Sequence, residues 1–454
     1  MNTTAAVVIG AGPAGLAMSR CLTEHNIEHV VLERSAVGNS WRSERWDSLR
    51  LLTPNWMTRL PGYGYHGPDP DGYMTAAEVV ELLDEYATQT AAAVLTGSPV
   101  ERVTTAHDGS FVAATGNGSW RCRAVVVATG ACSTPMVPSI ASELPGHLRQ
   151  LSPIHYRRPD DAPGPHVLVV GASASGLQLA EELTITGRQV TLAVGAHTRL
   201  PRTYRGADIH HWMNAAGVLD TRYDEVGDID KARRMPSLQL IGSPERRTLD
   251  LNALTSRGVE LVGRLVGTSD GRLQFSGSLS NLCADADLKM NRLLDQIDEL
   301  ANTLAIPSDQ RPGPTIVPEP RTVIPLSRYS TVIWATGFRP NFPYLDPRLL
   351  DRRGAIVHDG GVMTQPGMYV LGQPFLRRRK SSFLDGVGTD AAELGRRLAR
   401  HLSGTHAHHP RRRHVTDDHP PAEARTSWTS MASASHHDST AEPRHQASPG
   451  VRVP

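Results

Sequence analysis

A glycine-rich turn that occurs twice, a domain apart, constrains this chain more than any other feature. Gly10-Ala11-Gly12-Pro13-Ala14-Gly15 follows the apolar run 5–9, and Gly171-Ala172-Ser173-Ala174-Ser175-Gly176 follows the apolar run 167–170. Each stands where a buried strand is expected to turn into a helix. The first N–H groups of a helix have no partner inside it, and the helix dipole adds positive potential there, so a pyrophosphate is held. Glycine lets the backbone approach the phosphates and lets helix pack on strand. One such turn predicts one dinucleotide. Two predict a chain that holds two and passes electrons between them.

The residues beyond each turn make the two unequal. Glu33 lies eighteen positions after Gly15 and closes the apolar run 29–32. A carboxylate there accepts hydrogen bonds from the ribose hydroxyls of an adenosine. At the same offset from Gly176 stands Val194, followed by Gly195, His197, Arg199 and Arg202. A carboxylate would repel a 2′-phosphate and an arginine grips it with a two-pronged fork, so Arg199 and Arg202 point to NADPH over NADH. Ser173 replaces the middle glycine of the second turn. Its hydroxyl is small enough to let phosphates approach, and it is also a donor to them.

The 454 residues suit two domains with additions. A hydrophobic share of 39% and a net charge of +1 fit a globular chain and argue against nucleic-acid steering. No apolar run approaches the roughly 20 residues that span a bilayer. The first strand starts too near Met1 to leave room for a signal peptide. The four cysteines, Cys21, Cys122, Cys132 and Cys283, form no CxxC or zinc-like cluster. They read as reduced thiols of a cytoplasmic protein, with no metal site and no redox disulfide.

Between the turns, Thr75 with Glu78 makes a capping box, and Val79, Leu82, Leu83 and Tyr86 follow at helical spacing. Residues 100–127 read as short antiparallel strands ending in a buried run and Ala128-Thr129-Gly130. A helix is expected over 282–304, as a core or lid element or as a homodimer face. A buried strand then leads into Ala335-Thr336-Gly337, and a last helix covers 384–402. The fold class expected is α/β: two Rossmann-like three-layer domains, a small antiparallel element and a helical insertion. The first domain is discontinuous (1–157 and 325–403), the second spans 158–324, and the polar, His- and Pro-rich tail 404–454 is expected to be disordered.

Together with both turns and both Ala-Thr-Gly runs, Gly38-Asn39-Ser40-Trp41 and Trp46-Asp47-Ser48-Leu49-Arg50-Leu51 resemble the flavin-containing monooxygenase family over residues 5–400. The resemblance implies FAD at the first turn, held by Gly10, Gly12, Pro13, Ala14, Gly15, Glu33 and Arg34. It implies Trp41, Asp47 and Leu51 along the ribityl chain and ring, Val103 near the adenine, and Thr129, Gly130 and Gly372 against the cofactor. NADPH would take Gly171, Ser173, Ala174, Ser175 and Gly176, with Arg199, Arg202, Thr336 and Gly337. Ser48, Arg50 and Thr53 are the polar candidates near the flavin. The implied reaction transfers one oxygen of dioxygen, through a flavin C4a-hydroperoxide, to a small organic substrate. Three positions depart from the pattern. Leu144 replaces the phenylalanine of the linker signature, which also lacks its histidine. Leu52 stands where many members have asparagine before Thr53-Pro54. Gly372-Gln373 replaces the Gly-Asp of related reductases. Leu52 keeps open an NAD(P)H-dependent reductase that incorporates no oxygen, and a non-catalytic redox sensor is the third alternative.

Overall fold

Strands buried on both faces read as unbroken apolar runs, as parallel sheets covered by helices require. The computed structural model describes residues 1–404 and forms two such sheets. The expected tail, Gly404 apart, lies outside the described residues. The chain opens with β1 (Ala6–Ile9), α1 (Pro13–Glu24), β2 (His29–Leu32), α2 (Asn39–Ser43), α3 (Ala76–Gln89) and β3 (Val94–Leu95). An antiparallel run of β4 (Val100–Thr105), β5 (Phe111–Thr115) and β6 (Gly118–Cys122) leads to β7 (Ala124–Val127). Next come β8 (Arg149–Leu151), β9 (His166–Val170), α4 (Ala174–Ile185), β10 (Gln189–Ala193), α5 (Ile209–Ala215) and β11 (Glu260–Val262). An insertion follows, with β12 (Leu265–Ser269), β13 (Arg272–Phe275), α6 (Leu279–Thr303) and β14 (Val323–Pro325), before β15 (Thr331–Trp334). The chain returns through β16 (His358–Asp359), β17 (Val362–Met363) and β18 (Met368–Val370) to α7 (Leu384–Leu402).

The first sheet runs β16-β17-β18-β7-β1-β2-β3, and the second runs β8-β15-β9-β10-β11. Every pairing in the second sheet is parallel, as are those from β18 to β3 in the first. This is the expected α/β architecture, two Rossmann-like parallel sheets with the first made from both ends of the described chain. Local signals explain the helices. Pro13 opens α1, where its missing N–H costs nothing. Thr75 Oγ1 accepts from Glu78 N at 3.2 Å and the Glu78 carboxylate accepts from Thr75 N at 2.6 Å, capping α3. Helix α6 begins three residues before the expected start. Leu279, Cys283, Ala286, Met290, Leu294, Ile297 and Ala301 form its buried stripe, which packs within the chain.

The domain limits differ from those expected. β8 pairs with β15 from Arg149↔Thr331 to Leu151↔Ile333, so both belong to the second sheet. The chain therefore enters the second unit before residue 149 and leaves it after residue 334. The proline-rich composition of 135–165 hides the three-residue β8. The two crossings lie side by side: Thr134 pairs with Arg339 and Pro135 with Phe338, antiparallel. Met136 N donates to the Gly337 carbonyl at 2.9 Å and completes this strap.

Candidate functional site

The two glycine turns are nearly congruent. Gly10 has φ +103° and Gly171 φ +111°, a region that favours glycine. Gly10 N donates to the Leu32 carbonyl at 2.8 Å, and Gly171 N to the Ala193 carbonyl at 2.9 Å. A Cβ on Gly15 would lie 1.8 Å from the Gly10 oxygen, and one on Gly176 would lie 1.8 Å from the Gly171 oxygen. Each first glycine also leans on an Ala-Thr-Gly run. Its Cβ would meet the Ala128 oxygen at 2.8 Å in one case and the Ala335 oxygen at 2.3 Å in the other. The runs thus buttress the turns, which spacing alone did not show. At the helix start the pattern opens. A Cβ on Gly12 would meet nothing within 4 Å. Gly12 and Ser173 are the N-cap residues, with nearly equal torsions (φ −83°, ψ −173° and φ −87°, ψ −173°), and neither side chain caps its helix.

Around the first turn the structure gathers several expected residues. Glu33 is buried; its carboxylate accepts from Ala11 N at 2.8 Å and Ser35 N at 3.0 Å. Each oxygen keeps a lone pair for a ribose hydroxyl. Thr129 Oγ1 lies 3.0 Å from the Tyr344 hydroxyl, and Val103 N donates to the Tyr344 carbonyl at 2.8 Å. A Cβ on Gly372 would approach the Ala14 Cβ at 2.8 Å, so the return strand β18 ends on the first turn. Gln373 Nε2 donates to the Gly130 carbonyl at 3.0 Å, tying that return to the first Ala-Thr-Gly run. Gly38 N donates to the Ala11 carbonyl at 3.0 Å and brings the loop bearing Trp41 onto the turn. Arg50 donates to the Tyr73 carbonyl at 2.8 Å and braces the loop 47–53 from behind. Asp47 and Ser48 are exposed; Leu52 and Thr53 are partly so. Arg34 pairs with Glu44.

The second turn holds the corrections. Arg199 is 3% exposed; it pairs with Asp250 at 2.7 Å and Asp287 at 2.7 Å, and also donates to the Gly313 carbonyl. Arg202 is 1% exposed; it pairs with Asp208 at 2.7 Å and donates to the carbonyls of Leu52 at 2.8 Å and Ile241 at 3.2 Å. Both guanidinium groups are spent inside the protein, so neither is free for a ribose phosphate. Arg202 instead clamps the loop 47–53 at Leu52, and Tyr73 adds a 2.6 Å bond to Asp208 and a ring beneath the guanidinium. Thr336 donates to the Met136 carbonyl and serves the strap. Gln239 carries no sequence signal, yet its Nε2 donates to the Ala172 carbonyl at 2.6 Å while its buried Oε1 has no partner. That orphaned acceptor suits a donor on a bound nucleotide. Beside the strap lies a cavity of about 240 Å³ lined in part by Gln150, Ser152, His155 and Trp334. Gln150 accepts from Trp334 Nε1 at 2.9 Å.

Buried ionisable groups set the pH response. Burial holds the His210 ring neutral, and Asp208 is kept ionised by bonds from His210 and the charge of Arg202. His358 is pushed down to about 4 by burial and by Arg233, and its Nδ1 accepts from Gly361 N at 3.2 Å. A histidine depressed in the native state is protonated first in the unfolded chain, so stability is full above about pH 6.5 and is lost as pH falls toward 4. Urea midpoints at pH 7.5 and 5 are expected to show this loss, and His358→Gln to reduce it. An unchanged slope in that variant would remove His358 from the account.

Comparisons agree with this geometry. Residues 7–215 match the pyridine nucleotide-disulphide oxidoreductase family. An oxidoreductase described as uncharacterized and CzcO-like, from Geobacillus kaustophilus, is 29% identical over 391 residues, 86% of this chain and 96% of that protein. The chain is similar to flavoprotein oxidoreductases and has the fold with two dinucleotide-binding domains. Its sequence and fold fit the flavin monooxygenase family. The indole-3-pyruvate monooxygenase YUCCA6 of Arabidopsis thaliana is 33% identical over 221 residues, 45% of this chain and 51% of that one. The flavin-containing monooxygenase from Stenotrophomonas maltophilia shares the fold with a TM-score of 0.62 and 23% identity, covering 88% of this chain and 98% of that one. The first turn fits FAD: Gly12 leaves the pyrophosphate space clear and Glu33 stands ready for the ribose. Among the described residues no His, Cys, Asp and Glu group could hold a metal, and no helix is long and apolar enough to cross a membrane.

Proposed function

We propose that this flavoprotein is an NADPH-dependent monooxygenase of small organic molecules. Its nearest physical support is the congruence of the two turns, each backed by an Ala-Thr-Gly run, with the first open at Gly12. Bound flavin supplies hydride acceptance from a nicotinamide and activation of dioxygen. The chain's own residues do the rest. The N-terminus of α1 and Gly12 receive the FAD pyrophosphate, Glu33 the adenosine ribose, and the N-terminus of α4 with Ser173 the second pyrophosphate. Arg202, through the Leu52 carbonyl, fixes the loop carrying Arg50 and Thr53. Similarity to monooxygenases of indole-3-pyruvate and to the Stenotrophomonas enzyme supports oxygen as the acceptor.

Leu52 in place of asparagine favours the second reading, a reductase that incorporates no oxygen. Reduction by NADPH without air, followed by mixing with dioxygen, separates the two. A long-lived spectrum distinct from oxidised and reduced flavin is expected. Direct return to the oxidised spectrum would leave the reductase, and a purified protein unable to take up flavin would end both.

A further inference from the structure

With Arg199 and Arg202 buried in ion pairs, the second turn needs another cation if it is to prefer NADPH. The strand register supplies one. β10 and β11 pair in parallel through Ala193↔Val262, and Val194 N donates to the Val262 carbonyl at 2.9 Å. Two residues beyond that pair, Gly195 and Arg264 come side by side: a Cβ on Gly195 would lie 3.9 Å from Arg264 Nε and meet nothing closer. Both follow the carboxyl ends of adjacent strands, the edge on which open α/β sheets bind nucleotides. The backbone of Arg264 is pinned, since Ser276 N donates to its carbonyl at 2.8 Å and a Cβ on Gly263 would lie 1.9 Å from the Ser276 oxygen. Its side chain is exposed and makes no ion pair with any described residue. The buried Val194, where a ribose-binding acid would stand, places no negative charge beside it.

We infer that Arg264 reads the adenosine 2′-phosphate, and that the missing side chain of Gly195 leaves the space in which it does so. The inference rests on the second turn holding a nicotinamide dinucleotide. The guanidinium donates to the phosphate oxygens as a charge-assisted fork. His197 is buried and bonds the Gly195 carbonyl at 3.0 Å, and the nearby Lys289 pairs with Asp285 at 2.6 Å, so neither offers a free cation.

Calorimetric titration of the FAD-loaded protein with 2′,5′-ADP and with 5′-AMP tests the assignment without turnover. Arg264→Ala is expected to weaken 2′,5′-ADP about tenfold or more, as loss of a charged hydrogen bond does, and to leave 5′-AMP unchanged. Gly195→Asp sets a carboxylate against Arg264 and is expected to remove the preference for the phosphorylated ligand. Equal weakening of both ligands in Arg264→Ala, or no change in either, overturns the role of Arg264 while the nucleotide site stands. Failure of the unaltered protein to bind either ligand overturns the nucleotide site itself, and the inference with it.

Discussion

Gly15→Ala is expected to purify without flavin. The added Cβ would sit 1.8 Å from the Gly10 oxygen, a backbone atom that cannot swing aside. Gly10 is itself held at φ +103° against the Ala128 carbonyl. The clash is relieved only by lifting α1 from β1, which moves the helix N-terminus off the pyrophosphate and disturbs the wholly buried Val7 and Val8. Overpacking of this kind costs about 1–3 kcal/mol where flexible side chains absorb it, and more where backbone meets backbone. Flavin absorbance per protein should fall to background while far-ultraviolet dichroism stays largely native. Gly12→Ala is the matched control, because its Cβ meets nothing within 4 Å. That variant should fold normally and weaken FAD by crowding the phosphate alone. Full flavin content in Gly15→Ala would mean that the helix start does not position the cofactor.

Arg199→Ala is expected to be the most destabilising single change in the second unit. It strands the Asp250 and Asp287 carboxylates, each bonded to Arg199 at 2.7 Å, in a protein interior. Asp250 also caps the helix Leu251–Ser256, and Asp287 lies on α6, so one guanidinium joins β10's downstream loop to two helices. Breaking a buried pair from one side costs about 3–5 kcal/mol, against a total stability of about 5–15 kcal/mol for a typical domain. Thermal denaturation should show a large drop in Tm. A loss of NADPH selectivity with little change in Tm would instead return Arg199 to the nucleotide site.

The parts of this protein that local chemistry determines were legible in its sequence. The glycine turns, the Thr75–Glu78 box and the span of the last helix depend on residues a few positions apart, and α7 covers the expected 384–402. Glu33 was placed by the length of one helix and one strand. Arg199 and Arg202 were not, because counting along β10 locates a backbone and says nothing about burial. Their partners Asp250, Asp287 and Leu52 are distant in the chain. For the same reason Gln239 and Tyr344 carried no signal: each acts through a tertiary contact. β8 was missed because three residues beside prolines give no periodicity to read.

The strap has one more consequence. Antiparallel partners lie about 4.5–5.5 Å apart at Cα, so Pro135 and Phe338 are neighbours although the whole second sheet separates them along the chain. The second unit is thus a cassette whose two ends meet at one strap. Joining residue 135 to residue 338 would excise it without leaving a gap to bridge. The same arrangement lets one nucleotide-binding module be exchanged for another while the remaining sheet keeps all seven of its strands.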